Sequence, residues 1–281
     1  MNNYKTLILS VVLLAIASCT DAPETKEKIS EEPKSNKQEA FKNILEHTGA
    51  QGAVLIYDLK KNIYYSNDYD WASQGQLPAS TFKIVNSIIG LETGVITDSV
   101  IFKWDGEQKW NEKWMQDLTL DEAIEHSCVP CYQELAKKIG ADRMNEYLDK
   151  YEYPKMAVDS STIDMFWLEG ESRINQFQQI DFLVRFHQNK LPISKETSKK
   201  LREILILDES DGVTLSGKTG LSITDGMYNG WFVGYLEKGD ELYFFATNIE
   251  KEITEEDDFK PFFEMRKLFT HEAFRERKIM E

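Results

Sequence analysis

Cysteine and histidine are scarce in this sequence, and their scarcity excludes two kinds of protein. Three cysteines among 281 residues cannot form a disulfide-rich scaffold. The four histidines are scattered without paired spacing, whereas metal sites built on histidine need ligands at short, regular intervals. We therefore expect no metal centre, and a zinc enzyme is excluded.

Basic residues are outnumbered by acidic ones. The chain carries 33 Lys and Arg against 48 Asp and Glu, which gives a formal net charge of −15. Binding to nucleic acid depends on many basic side chains that displace counterions from the phosphates, so we expect no nucleic-acid partner. The 41% hydrophobic content is enough for a sizeable core, and the length suits one compact catalytic unit.

Long apolar runs are missing except near the N-terminus. The run over residues 7–16 follows Lys5, is too short to span a bilayer comfortably and has the layout of a secretory h-region. It ends in Ile16-Ala17-Ser18-Cys19, which resembles the lipobox of bacterial lipoproteins. We therefore predict a signal peptide over residues 1–18 and lipidation of Cys19, which would anchor the protein to membrane in the periplasm. An ordinary signal peptide with a chance cysteine is the alternative.

Residues 21–42 are rich in Glu, Lys, Ser, Pro and Asn and have little apolar content. Such a composition cannot offset the entropy lost on ordering. The sequence therefore predicts a flexible tether over residues 19–42 and a folded domain over residues 43–281, with a helix-like stretch that starts near Phe41.

The apolar periodicity places strands at both ends of the domain and helices between them. Helical spacing recurs from residue 81 to about 139, and again over residues 175–187, 194–205 and 261–278. Strand-like runs occupy residues 52–58, 62–65, 213–220, 228–236 and 242–249. This order predicts an α+β fold: a mainly antiparallel sheet built from both ends of the chain, flanked by helices. The active site is expected in the cleft between the sheet and an inserted helical subdomain.

Ser80 and Lys83 form the first candidate catalytic pair. They precede the first helical periodicity, and residues three apart share a helix face, so the lysine amine can reach the serine hydroxyl. The N–H groups of a first helical turn can also stabilise an oxyanion. A Ser-x-x-Lys sequence arises about once by chance in a chain of this length, so the pair needs support from elsewhere.

Two further motifs supply that support. Ser127-Cys128-Val129 and Lys218-Thr219-Gly220 follow in order, and the three motifs together resemble the active site of the penicillin-recognising serine enzymes. Their spacing is similar to that of the class D (oxacillinase-type) β-lactamases, and the resemblance covers residues 50–267. Flanking segments that also resemble this family are residues 78–84, 129–136, 166–170 and 230–234.

The resemblance implies a mechanism for Ser80. It would attack a β-lactam carbonyl, with the backbone N–H groups of Ser80 and Leu221 as the oxyanion hole. Lys83 would be carboxylated by CO2 to N6-carboxylysine and act as the general base, with no other cofactor. The indole N–H of Trp167 would hold that carbamate, and Ser127 would pass a proton to the lactam nitrogen.

The remaining implied residues bind the substrate. Lys218 would act beside Ser80, and a β-lactam is an anion, so Arg266 would bind its carboxylate unless it lies on a solvated helix face. The other expected substrate contacts are Thr219, Gly220, Leu221, Val129 and Leu168. The segment Tyr153-Pro154-Lys155 departs from the family pattern of Tyr-Gly-Asn, so we expect that loop to differ.

Other interpretations stay open at this point. The alternative function is a penicillin-binding sensor or transpeptidase-like domain that is acylated but not turned over, and an envelope-binding lipoprotein would need none of these motifs. Cys128-Val129-Pro130-Cys131 alone is typical of a thioredoxin-like redox motif, but no strand precedes it, so a disulfide or two buried thiols are favoured over redox catalysis. The protein is expected to be a monomer or a homodimer.

Overall fold

Three long, consecutive strands form one half of the central sheet. The computed structural model describes residues 32–45, 48–254 and 259–280. Strands β7 (Val213–Thr224), β8 (Met227–Lys238) and β9 (Glu241–Glu252) pair antiparallel. The turn between β7 and β8 is Asp225-Gly226, in which both residues have positive φ values of 52° and 74°. Those values are the requirement of a tight hairpin turn between twisted strands.

Four shorter strands complete the sheet: β1 (Lys34–Lys37), β2 (Gln51–Asp58), β3 (Ile63–Ser66) and β6 (Ile206–Ser210). The seven strands lie in the order β1-β3-β2-β9-β8-β7-β6, and only the β1–β3 pair is parallel. The α+β fold with a mainly antiparallel sheet built from both ends of the chain is therefore confirmed.

Alternate residues of the central strands bury opposite faces of this sheet, as the two-residue period of a strand requires. On β9, Phe244 packs into the core on one face and Phe245 into the core on the other. One face is covered by α1 (Glu39–Leu45) and α9 (Phe259–Glu276). The second core is larger and takes in most of the helical middle of the chain.

The helical middle is interrupted more than the periodicity predicts. Helix α3 (Lys83–Glu92) ends where Gly94 adopts a left-handed φ of 67°, a conformation that glycine allows at little cost. A small two-stranded sheet, β4 (Ile101–Phe102) and β5 (Leu118–Thr119), then replaces the expected continuous helical pattern. The other helices are α2 (Tyr69–Ser73), α4 (Leu120–Glu125), α5 (Val129–Ile139), α6 (Ala141–Lys150), α7 (Gln176–His187) and α8 (Lys195–Ile204).

Strand and helix structure begins on the N-terminal side of residue 42, where the sequence predicts the boundary between tether and domain. Strand β1 pairs with β3, and Phe41 on α1 is completely buried against the sheet. Phe41 is the one large apolar residue within residues 33–42, and together with Leu45 it packs α1 against the sheet. The expected signal peptide and Cys19 lie outside the described residues. Within the described ranges, the structure contains no helix that is both long and apolar enough to cross a membrane.

Candidate active site

Ser80 lies in a 3₁₀ turn, Ala79–Phe82, that leads directly into α3. The turn places Ser80 and Lys83 on the same side, and the Lys83 Nζ donates a hydrogen bond of 2.8 Å to the Ser80 Oγ. Both side chains are buried, with 7% of Ser80 and 1% of Lys83 exposed. The structure therefore brings the candidate nucleophile and base into direct contact, away from bulk water.

Burial controls the charge of Lys83. It lowers the pKa of the amine from 10.5 to about 7, because the ammonium form is disfavoured in an apolar environment. The ring of Tyr132 lies beneath the amine, with 5.1 Å between Nζ and the ring centroid. A large fraction of the Lys83 amine is consequently neutral near pH 7, which is the form that can accept a proton or react with CO2.

Trp167 packs against the turn that carries Ser80. Its indole stacks on the ring of Phe82, with 5.9 Å between centroids and 11° between planes, and Phe166 meets both rings edge-on. The indole Nε1 is buried and has no hydrogen-bond partner among the residues that the structure describes. Since an unpaired buried donor carries a desolvation cost, this N–H is available to an acceptor that enters the pocket.

Strand β7 forms the opposite side of the site and carries the Lys218-Thr219-Gly220 motif. Lys218 is buried, and its Nζ donates to the carbonyl oxygen of Thr219 over 3.1 Å. Burial lowers the pKa of Lys218 well below its usual range, and the nearby positive charges of Lys83 and Arg266 lower it further. The motif thus places a second weakly basic amine beside the first.

Gly220 is required by close packing of the nucleophile turn on β7. A Cβ atom at this position would lie 3.2 Å from Thr81 Cγ2, 3.2 Å from Trp231 Cβ and 3.3 Å from Ala79 Cβ. These distances are shorter than ordinary contacts, so a larger residue would push the turn away from the strand. The glycine therefore sets the distance between Ser80 and β7.

Arg266 reaches the same strand from α9. Its guanidinium donates to the carbonyl oxygen of Gly220 and lies over the ring of Phe263, with 4.1 Å to the centroid. Only 1% of the residue is exposed, and burial lowers its pKa to about 9. Its Nε has no partner among the described atoms. A solvated helix face is therefore excluded for Arg266, whereas its neighbour Lys267 is partly exposed near Glu264.

Ser127 stands at the junction of α4 and α5. It adopts a left-handed φ of 52°, and its side chain is partly exposed. The next residue, Cys128, forms a disulfide with Cys131, with 5.4 Å between the Cα atoms. Of the possibilities that the sequence leaves open for these cysteines, the structure contains the disulfide.

Three of the predicted substrate contacts meet at a mostly apolar cavity of about 540 Å³. Val129, Leu168 and Leu221 line it, so residues from α5, from the segment after Trp167 and from β7 converge there. Sequence analysis did not identify the other lining residues, which are Trp110, Met165, Glu169, Ser222 and Ile223. Trp110 is 75% exposed and gives no sequence signal, because it precedes no periodic element.

The sequence motifs give no role to two further residues, because these residues act by holding the backbone of another segment in place. The Trp231 indole and the Asn229 amide both donate to the carbonyl oxygen of Leu77, at 2.8 and 3.0 Å. They fasten the segment that precedes Ser80 to β8. Trp231 lies within a segment that resembles the family, but the resemblance assigned it no role.

Comparison with known proteins agrees with this geometry. Residues 26–262 match the family described as the penicillin binding protein transpeptidase domain. Beta-lactamase OXA-10 of Pseudomonas aeruginosa is 38% identical over 239 residues, which cover 84% of this chain and 87% of that protein. A class D beta-lactamase from Sebaldella termitidis ATCC 33386 has a TM-score of 0.83 at 33% identity, over 89% of this chain and 100% of that one.

This chain belongs to the class D β-lactamase family. The family assignment predicted from the three motifs is therefore confirmed. A penicillin receptor is also among the structural relatives of this class D chain. The C-terminal domain of the Bacillus licheniformis BlaR penicillin-receptor has a TM-score of 0.80 at 26% identity and covers 89% of this chain and 98% of that domain.

Proposed function

We propose that the protein hydrolyses β-lactams through an acyl-enzyme on Ser80. The observation that carries this proposal is the 2.8 Å contact between the Ser80 Oγ and the buried Lys83 Nζ, in a pocket that keeps much of the amine neutral. A serine needs an adjacent base to become a nucleophile. The names of class D relatives support the same chemistry.

Acylation uses groups on both sides of the cleft. The backbone N–H groups of Ser80 and Leu221 stabilise the negative charge on the carbonyl oxygen as the tetrahedral intermediate forms. Ser127 delivers a proton to the departing lactam nitrogen. Lys218 and Thr219 on β7, together with Arg266 on α9, attract the substrate carboxylate, which brings an anion into a site within a strongly acidic protein.

The pocket around Lys83 also fits a carbamate formed from CO2 and the neutral amine. The fit rests on the unpartnered indole N–H of Trp167, which can donate to a carbamate oxygen. A carbamate on Lys83 would supply an anionic base for removing the Ser80 proton and for activating water in deacylation. Phe82 and Trp167 exclude bulk water from the amine and so keep it neutral.

The competing function is a sensor that is acylated and not turned over, and the BlaR relative makes it the appropriate comparison. Turnover of a chromogenic cephalosporin separates the two functions. We expect sustained hydrolysis, with many product molecules per protein molecule. A single stoichiometric burst would favour the sensor, and the absence of both burst and adduct would overturn the acyl-enzyme.

We further propose that the mature protein is attached to membrane through a lipid on Cys19 and acts in the periplasm. The support is the run over residues 7–16 and the small residues that precede Cys19. A polar segment then separates Cys19 from α1. Such a placement would put the site where β-lactams enter the cell envelope.

A further inference from the structure

The disulfide Cys128–Cys131 closes the first turn of α5, immediately after Ser127. The sequence Cys-Val-Pro-Cys puts the first cysteine at the N-cap of this helix, where its Sγ accepts the backbone N–H of Cys131 over 3.2 Å. A sulfur in this position faces the positive end of the helix, which stabilises a thiolate. The two cysteines therefore have the chemistry of an exchangeable pair.

The disulfide can be reached without entering the substrate cleft. Both cysteines line a surface cavity of about 370 Å³ whose other lining residues include Phe102, Trp104 and Pro130. None of those three residues lines the cavity that contains Val129, Leu168 and Leu221. Cys131 is 7% exposed and Cys128 is 1% exposed, so Cys131 is the more exposed of the two residues and the one at which we expect attack.

Ser127 lies between the end of α4 and this disulfide-closed turn. Its left-handed φ of 52° is unusual for a residue with a side chain. Hydrogen bonds hold the preceding turn, including those from Ser127 N–H to Ile124 O at 3.2 Å and from Cys128 N–H to Ala123 O at 2.8 Å. On the other side, the first α5 bond, from Tyr132 N–H to Cys128 O, is long at 3.4 Å. Besides the main chain, the disulfide is thus the covalent link that closes the turn directly after Ser127.

We propose that Cys128–Cys131 is a reversible thiol–disulfide exchange site for dithiol reductants, and that opening it loosens Ser127 and slows acylation. A thiolate of the dithiol attacks the Cys131 sulfur, the S–S bond breaks, and its electron pair leaves on Cys128, which takes up a proton. The second thiol of the reductant then attacks the mixed disulfide and releases Cys131 as a thiol. The protein gains two electrons and two protons, and the dithiol becomes a disulfide.

The effect on rate rests on the proposed function, because it assumes that Ser127 acts in acylation. A misplacement of about 1 Å can lower a rate about 100-fold, so we expect the reduced protein to be acylated about 10- to 100-fold more slowly. Reoxidation restores the fast rate.

Exchange is measured first, without reference to activity. The Cys19→Ala protein, which retains only these two cysteines, is equilibrated with dithiothreitol, alkylated with N-ethylmaleimide and analysed by mass spectrometry. We expect two alkylated thiols in protein that keeps its folded circular dichroism spectrum, and recovery of the disulfide with oxidised glutathione. If the thiols become available only when the protein unfolds, the exchange site is wrong.

A second experiment measures how strongly reduction of the disulfide affects acylation. The reductant is removed under anaerobic conditions, and the rate of labelling with a fluorescent penicillin is then determined. The Cys128→Ser, Cys131→Ser double variant should be labelled slowly whether or not it has been treated with dithiothreitol. In a Ser127→Ala background, reduction should cause little further loss. Equal labelling rates for oxidised and reduced protein would overturn the coupling. If neither the oxidised nor the reduced protein is labelled, the proposed function is wrong. The exchange site is then tested by the alkylation result alone.

Discussion

The backbone N–H of Ala79 donates a 2.7 Å hydrogen bond to the carbonyl oxygen of Trp167. The residue before the candidate nucleophile is thereby joined to the residue whose indole stacks on Phe82. Ala79 has a left-handed φ of 49°, a conformation that costs about 1 to 3 kcal/mol and persists only where the surroundings hold it. The nucleophile turn and the pocket of the base therefore form one structural unit.

We expect the Ser80→Ala variant to lose all turnover and to form no covalent adduct. Within the site, Ser80 is the hydroxyl that the buried Lys83 amine contacts, so its removal leaves the pocket without the nucleophile. Intact-protein mass spectrometry after incubation with a penicillin measures the adduct. Ser210→Ala is the matched control, because Ser210 is exposed on edge strand β6 and should be dispensable. A drug adduct on the Ser80→Ala protein would contradict the assignment.

We expect Gly220→Ala to weaken both folding and acylation. The new methyl group would meet Ala79, Thr81 and Trp231 at 3.2 to 3.3 Å, and overpacking of this kind costs about 1 to 3 kcal/mol. Since the turn must move away from β7, Ser80 and Leu221 should lose their alignment. Chemical denaturation and the rate of penicillin labelling measure the two effects. An unchanged rate of labelling would show that the spacing between turn and strand is unimportant.

The local periodicity of apolar residues is sufficient to predict most of the sheet and the helices that flank it. Asn175 and Ser194 were expected to begin helices, and both cap one in the structure. The small sheet of β4 and β5 could not be predicted, because two-residue strands have no period. Strand β1 is fully exposed and polar, and pairing with β3 alone makes it a strand.

The sequence motifs identified the residues whose own side chains enter the site. The resemblance pointed to Ser80, Lys83 and Lys218. The structure places Ser80 in the turn before α3, Lys83 at the start of α3 and Lys218 on β7, which packs against that turn. The burial of Arg266 depends on how α9 packs across the sheet, which no local pattern of α9 reveals. The unpartnered state of the Trp167 indole is likewise a property of the packed pocket.

We expect acylation to rise with pH through about pH 7. Burial lowers the folded-state pKa of Lys83 from 10.5 to about 7, so the fraction of neutral amine falls about tenfold per pH unit below that value. Between about pH 7 and 10.5 the unfolded chain binds this proton and the folded protein does not, so the free energy of unfolding should also increase with pH in this window. Lys218, whose pKa is lowered too, acts in the same direction. Labelling rates that do not change between about pH 5.5 and 8.5 would argue against a neutral Lys83.

We expect the mature protein to fractionate with membranes and the Cys19→Ala variant to appear in the soluble fraction. The thiol of Cys19 is the attachment point that the lipobox-like sequence predicts, and alanine has no sulfur to acylate. Cell fractionation followed by immunoblotting measures the distribution. A variant that stays with the membrane would require a different anchor.

We expect Trp167→Phe to slow deacylation more than acylation. Phenylalanine keeps most of the aromatic packing against Phe82 and Phe166 but removes the only indole N–H of this pocket wall. A carbamate on Lys83 would then lack one hydrogen bond, at a cost of about 1 to 3 kcal/mol. The carbamate would be less populated, and water would be activated less often. Stopped-flow kinetics with a chromogenic cephalosporin should therefore show a burst followed by a slow steady state, because acyl-enzyme accumulates.

Bicarbonate separates this explanation from simple damage to the pocket. Added bicarbonate shifts the equilibrium between amine and carbamate, so it should raise the slow phase of the Trp167→Phe protein and have little effect on the unmodified protein in air. Removal of CO2 should slow the unmodified protein reversibly. A pocket that had only lost its packing would show a lower melting temperature and no response to bicarbonate. If the variant and the degassed protein both keep the full steady-state rate, Lys83 acts as a free amine, and the role proposed for the Trp167 N–H is wrong.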